Sequence, residues 1–218
     1  MVKSRPYIIL SAAISLDGKI ATKNGDSNFS SKSDKIRVHK LRSKVDAILI
    51  GRNTLHCDDP ILTVRYSKGN NPIRIILDSR GTISSYSRIL KTCHLVPTII
   101  AISKKITKKN LQRLSKYPID IVISGENKVN LKQLLKKLVN KKIKKLLVEG
   151  GGTVNWEFIR QGLFDEIIIS VTPFLVGGKE AISLIQGIGF SNIKKSSKLK
   201  LTKTRRQKNE LVLYYSKL

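Results

Sequence analysis

Leu146-Leu147-Val148 runs directly into Glu149, three glycines (Gly150, Gly151, Gly152) and Thr153. A short apolar run, a carboxylate, a glycine turn and then an amphipathic segment from Val154 to Arg160 read as strand, turn and helix. Glycine has no Cβ, so the backbone there can pass close to a bound group. The start of the helix leaves N–H groups with partial positive charge at the same place. A phosphate or pyrophosphate suits such a turn. A tight strand-to-helix turn with no ligand would use the same residues.

Ligands of open α/β sheets lie beyond the carboxyl ends of the strands, so the polar residues after other apolar runs bear on the same chemistry. After Ala47–Ile50 come Gly51-Arg52-Asn53-Thr54 and then Asp58-Asp59-Pro60-Ile61-Leu62-Thr63-Val64-Arg65. Thr54 and Asp58, four apart, fall on one side of a helical turn, where a hydroxyl and a carboxylate can hold a ribose or an amide. Asp-Asp-Pro is equally the composition of a plain turn. After Ile73–Leu77 come Asp78-Ser79-Arg80-Gly81. Ser79 and Arg80 could meet a phosphate there, including a 2′-phosphate, or close a β-turn. Asp17-Gly18 suggests a hairpin turn, and Gly25-Asp26-Ser27 another turn or an anion loop. His39, His56 and His94 have no metal-ligand spacing and read as helix-face or loop residues. No catalytic triad, no GxGxxG and no P-loop is present.

The elements that position these residues alternate. Strands are expected at Tyr7–Ile14, Ala47–Ile50, Ile73–Leu77, Thr98–Ile102, Ile119–Ile123, Lys144–Val148 and Glu166–Val171. Helices are expected at Lys32–Lys44, with Ser31 and Asp34 as a capping pair, at Lys108–Lys116, and around Leu131, Leu134, Leu135, Leu138 and Val139, which share one helical face. Continuous apolar strands separated by helices imply an α/β fold with a mostly parallel central sheet flanked by helices. The alternating stretch Leu199–Thr204 and a strand from Leu211 to Tyr215 add an antiparallel C-terminal pair, turning at Gln207-Lys208-Asn209. No linker or repeat divides residues 1–218, so a single domain is expected.

The chain carries 42 lysines and arginines against 15 acidic residues, a net charge of +27. The lysines are spread through the sequence, as at Lys132, Lys136, Lys137 and Lys141 on one helix, and aromatics are only 6%. That argues against a nucleic-acid partner and for steering of small anionic ligands. No apolar run approaches the roughly 20 residues of a membrane span. No signal-peptide core is visible, and Cys57 and Cys93 show no CxxC spacing. A reduced, cytoplasmic protein with no metal is expected.

Six segments, in order, resemble the riboflavin-biosynthesis reductases, whose fold is similar to dihydrofolate reductase. They are Ser15-Leu16-Asp17-Gly18-Lys19-Ile20-Ala21, Gly25-Asp26-Ser27, Arg37-Val38-His39-Lys40-Leu41-Arg42, Asp58-Asp59-Pro60 through Leu62-Thr63-Val64-Arg65, Ile76-Leu77-Asp78-Ser79, and Glu149 to Thr153 with Asn155-Trp156. The resemblance implies NADPH-dependent reduction of a ribosylamino side chain to ribitylamino on 2,5-diamino-6-ribosylamino-4(3H)-pyrimidinone 5′-phosphate. Without His-x-Glu and Pro-Cys-x-x-Cys, the chain resembles the stand-alone archaeal and fungal branch rather than enzymes fused to a zinc deaminase. The resemblance implies cofactor contacts at Thr54, Asp58, Ser79 and Glu149 to Gly152, with Arg80 beside them. It implies substrate contacts at Ser27, Arg42, Leu62 and Arg65, the arginines toward the phosphate, and a homodimer. Asp58 and Glu149 are the candidate proton donors. One departure stands out: the fused enzymes carry a lysine on the first strand, where this chain reads Ile9-Leu10-Ser11-Ala12-Ala13. The alternatives are another NADPH reductase of the same fold, acting on a pterin, and a basic nucleic-acid-binding protein.

Overall fold

In the computed structural model, which describes residues 4–218, the elements follow the alternation of the sequence. In chain order they are β1 (Tyr7–Ile14), β2 (Lys19–Ala21), α1 (Lys32–Arg42), β3 (Ala47–Gly51), α2 (Arg52–Asp58), β4 (Ile73–Leu77), α3 (Arg88–Lys91), β5 (Thr98–Ile102), α4 (Lys108–Leu114) and β6 (Asp120–Ile123). There follow α5 (Leu131–Asn140), β7 (Lys145–Val148), α6 (Gly152–Arg160), β8 (Glu166–Val171), β9 (Ile182–Ser183), a 3₁₀ turn (Ile193–Lys195), β10 (Leu199–Gln207) and β11 (Glu210–Lys217). The chain divides into two compact units. One holds the residues up to Tyr7 with His39–Leu146, the other Ile8–Val38 with Leu147–Leu218.

In the first unit β3, β4, β5 and β6 pair in sequence, every pair parallel, with Ile48 opposite Arg74, Ile76 opposite Ile100 and Ala101 opposite Val122. All residues of β3 and β5 are buried. That is the pattern of strands covered on both faces, and it explains their unbroken apolar sequences. Helices α4 and α5 start where a side chain caps them. Thr107 accepts from the Asn110 amide at 3.2 Å, and Asn130 from the Gln133 amide at 3.0 Å. Leu131, Leu134, Leu135 and Leu138 are buried, as their spacing predicts.

At the centre of this unit Arg74 is 0% exposed. Its guanidinium donates to the carbonyls of Ile61, Ile89 and Val96 and to the hydroxyls of Thr92 and Thr98, at 2.7–3.2 Å. Burial depresses its pKa to about 10, so the group stays charged at neutral pH.

In the second unit β1 pairs parallel with β8, which pairs antiparallel with β11, and β11 antiparallel with β10. The C-terminal pair turns at Lys208-Asn209, with Lys208 at φ 55°. A two-stranded antiparallel pair joins β2 to β9. The expected mostly parallel sheet with an antiparallel C-terminal pair is present. The sequence did not announce α3, β2, β9 or the 3₁₀ turn, which are two to four residues long. Elements that short contain less than one period of any hydrophobic pattern. Among the described residues no helix is long and apolar enough to cross a membrane.

Candidate active site

The first unit carries most of the expected ligand residues. Gly51, in extended conformation, ends β3 and starts α2 without a side-chain cap. Thr54 and Asp58 lie on this helix four residues apart, on one side, Thr54 half-buried and Asp58 exposed at the last helical position. Asp59 then takes a left-handed conformation (φ 36°) and ends the helix, while its carboxylate accepts the Arg88 amide at 2.9 Å. The Asp-Asp-Pro segment is thus a turn, and it leaves Asp58 on the helix.

The loop beyond this turn is held residue by residue. Leu62 has φ 56° and a side chain 2% exposed. A non-glycine residue in that region costs about 1–3 kcal/mol and persists only where its surroundings dictate it. Here Arg74 Nη1 donates to the preceding carbonyl, Ile61 O, at 3.2 Å. Arg42, the last residue of α1, donates from Nη1 to Thr63 O at 3.1 Å. Asn71 Oδ1 accepts the Val64 amide at 2.8 Å, and His39 Nδ1 accepts the Arg65 amide at 2.8 Å. The structure therefore brings Arg42, at the end of α1, against the short loop that carries Leu62 and Arg65, with Arg65 exposed. His39 is 4% exposed, a buried helix residue rather than a loop one. Nothing in its spacing signalled the contact with Arg65.

At the end of β4, the Asp78 carboxylate accepts the Ile83 amide at 2.7 Å and so closes its own turn. Ser79 Oγ accepts the Val129 amide at 3.1 Å, and Ser79 O accepts from Ser103 Oγ at 2.8 Å. Arg80 follows, exposed, its carbonyl taken by Asn110 Nδ2 at 2.9 Å.

In the second unit Glu149, half-buried, leads into the glycine turn, and α6 begins at Gly152, two residues earlier than the amphipathic pattern suggests. Gly151 is its N-cap, and no side chain caps the first turn. The glycines have a reason beyond room for a ligand. A Cβ on Gly150 would lie 2.7 Å from Val154 Cγ1, and one on Gly152 would lie 2.4 Å from Ser183 O. The Gln186 amide also donates to Gly152 O at 3.0 Å. Packing within the protein requires glycine at these two positions.

Ser27, exposed, lies in the same unit, between Asp26 and Asn28, which line a cavity of about 650 Å³ together with Phe29, Phe174 and Lys179. That volume suits a small-molecule ligand. The cavity wall from Val176 to Gly177 is held by Asp17, whose carboxylate accepts both amides, at 3.0 and 2.7 Å, and the Ser15 hydroxyl at 2.7 Å. Those donors hold the Asp17 carboxyl at about 2, well below the ordinary carboxylate range.

Comparison with known proteins adds to this geometry. The family described as the RibD C-terminal domain matches residues 6–213. The chain is 37% identical over 215 residues to the 2,5-diamino-6-ribosylamino-4(3H)-pyrimidinone 5′-phosphate reductase of Methanothermobacter thermautotrophicus, covering 97% of this chain and 98% of that one. It is 37% identical over 202 residues, 90% of each chain, to the protein of the same name from Aquifex aeolicus. Among solved structures, the Thermotoga maritima diaminohydroxyphosphoribosylaminopyrimidine deaminase/5-amino-6-(5-phosphoribosylamino)uracil reductase superposes with a TM-score of 0.82 at 26% identity. That match covers 98% of this chain and 57% of the Thermotoga protein, so the chain spans a little over half of that relative.

Proposed function

This chain belongs to the RibD C-terminal domain family, and we propose that it is the NADPH-dependent reductase of 2,5-diamino-6-ribosylamino-4(3H)-pyrimidinone 5′-phosphate, an oxidoreductase of riboflavin biosynthesis. The observation that carries this reading is the match, over nearly the full length of both chains, to relatives bearing that name. Residues 1–218 act as one reductase domain, a homodimer working on a small phosphorylated substrate and not on nucleic acid.

The residues present fit a nicotinamide dinucleotide. The first turn of α6 has a glycine N-cap and no side-chain cap, which suits a cofactor phosphate at Gly150 to Gly152. Thr54 and Asp58 share one side of α2, placed for a ribose or an amide. Ser79 is braced by its contacts with Val129 and Ser103, and Arg80 beside it extends toward solvent to read a 2′-phosphate. When bound, NADPH supplies the hydride. That hydride would go to C1′ of the ribosylamine once its ring has opened to an imine or aldehyde form, and a proton would complete the open ribityl chain. Asp58 and Glu149 are the carboxyls assigned to that proton. Arg42, Leu62 and Arg65 are assigned to the phosphorylated end of the substrate, and Ser27 is assigned as a further substrate contact.

The test is NADPH oxidation with this substrate, followed by product mass. The expected product is two hydrogens heavier than the substrate, with NADPH preferred over NADH and the preference reduced in Arg80→Ala. Absence of turnover with the ribosylamino substrate overturns the reading. Asp58→Asn and Glu149→Gln separate the two carboxylates by which one lowers kcat.

A further inference from the structure

His39 lies inside the first unit and takes no part in the chemistry above. It is 4% exposed, and its Nδ1 faces two consecutive backbone amides, Arg65 N at 2.8 Å and Tyr66 N at 3.4 Å. The Tyr66 ring stands edge-on to the imidazole, centroids 4.8 Å apart at 79°. An Nδ1 that accepts hydrogen bonds belongs to a neutral ring with its proton on Nε2. The imidazole is thus used as an acceptor fixed in a packed wall.

What it holds matters because of Arg42. His39 and Arg42 are three residues apart on α1, on one helical face. Arg42 grips the loop at Thr63 O, and His39 grips it two residues later, at the Arg65 amide. One face of one helix therefore carries Arg42 itself and sets the main-chain position from which Arg65 extends. The other pins lie earlier in the loop, at Ile61 and Val64. We propose that His39 is a positioning residue for phosphate recognition, holding the Arg65 main chain so that its guanidinium and that of Arg42 keep a fixed spacing on the substrate phosphate. The inference rests on the assignment of Arg42 and Arg65 to that phosphate.

The experiment compares His39→Leu, which removes the acceptor, with His39→Asn, whose Oδ1 falls close to the place of Nδ1. His39→Gln, whose oxygen lies one bond further out, serves if the leucine variant does not fold. Steady-state kinetics are measured on the phosphorylated substrate and its dephosphorylated analogue, with NADPH affinity and hydrogen exchange at the Arg65 and Tyr66 amides. Loss of one anchoring hydrogen bond should raise KM for the phosphorylated substrate about five- to tenfold. Values of kcat, NADPH affinity and KM for the analogue should change less than about twofold, on the same scale. The two amides should exchange faster, and asparagine should restore both exchange and KM. An unchanged KM despite faster exchange overturns the proposal, as does an equal rise on both substrates. If the unaltered enzyme itself shows no preference for the phosphorylated substrate, the assignment of the arginines fails, and the positioning role with it.

Discussion

The glycine turn at Gly150 to Gly152 and the loop from Ile61 to Tyr66 are both irregular and both carry proposed ligand contacts, yet they are fixed by opposite means. The turn is shaped by what is missing. Val154 Cγ1 and Ser183 O occupy the space that side chains on Gly150 and Gly152 would need. The loop is shaped by what reaches into it, the side chains of Arg74, Arg42, Asn71 and His39. In the turn, two of the three positions are needed by the fold and are also proposed ligand contacts, so a substitution would strike both. In the loop, the residue proposed to read the ligand, Arg65, is distinct from most of those that hold the backbone, so the two roles can be separated by mutation.

The largest expected effect tests the side-chain half of this comparison. Arg74→Leu removes a fully buried guanidinium and takes its hydrogen bonds from the carbonyls of Ile61, Ile89 and Val96, of which Val96 keeps the Thr98 hydroxyl. A loss of about 3–5 kcal/mol is expected from several buried acceptors losing a charged donor, at about 1–3 kcal/mol each, read as a fall in the urea midpoint at unchanged slope. Arg74→Lys should recover little, because an ammonium cannot reproduce the planar fork of donors. A neutral Arg74→Leu would mean that the loop and Leu62 are held by packing alone.

Next in size is the contrast between holding and reading. Losing a charge-assisted contact costs about 1.5–3 kcal/mol, so Arg65→Ala should raise KM for the phosphorylated substrate about ten- to a hundredfold with thermal stability unchanged. Arg42→Ala should match it in KM and also lower stability, because Arg42 holds Thr63 O as well. Equal stability losses in the two variants would erase the distinction between the arginines.

Much of this was legible beforehand, and the limits have physical causes. The buried strands β3, β4 and β5 and the leucine face of α5 follow from hydrophobic period alone, since burial on both faces or on one stripe leaves a direct mark in the sequence. Thr54 and Asp58 were legible as a pair because helical spacing is fixed. The functions of His39 and Arg74 were not, because each acts on backbone atoms far along the chain, and a backbone amide or carbonyl has no residue type. The glycine run marks a tight turn in the sequence, but the packing need at Gly150 and Gly152 comes from Val154, Ser183 and Gln186. Of these, only Val154 is near in sequence.

The turn gives the third test. Gly152→Ala places a Cβ against Ser183 O and should cost about 1–3 kcal/mol by overpacking, read as a lowered melting temperature. Gly151 has φ −56° and ψ 170°, open to any residue. Gly151→Val should therefore weaken NADPH affinity more than it lowers the melting temperature. Normal NADPH binding in that variant would leave the turn with a structural role only.

The smallest effect concerns a segment that combines both devices. Val176-Gly177-Gly178 has glycines at φ 64° and 79°, as a backbone-shaped turn would, but is also gripped by a side chain, the Asp17 carboxylate. The amide of Val176, the hydroxyl of Ser15 and the amide of Gly177 hold its pKa at about 2, against an ordinary value of 3.8. A depressed carboxyl pKa means that the ionised form is favoured in the fold. Its contribution is therefore complete above the ordinary carboxylate range and is lost as pH falls through about 2. Protection of the Val176 and Gly177 amides against hydrogen exchange, corrected for the intrinsic rate, should hold from neutral pH down to that range and drop on approach to about 2. Asp17→Asn should show the weakened protection at every pH, with little change in global stability because the carboxylate is solvent-exposed. If the asparagine variant keeps full protection, the positive-φ glycines shape this loop by themselves, and it belongs with the turn at Gly150 to Gly152 rather than with the loop at Leu62.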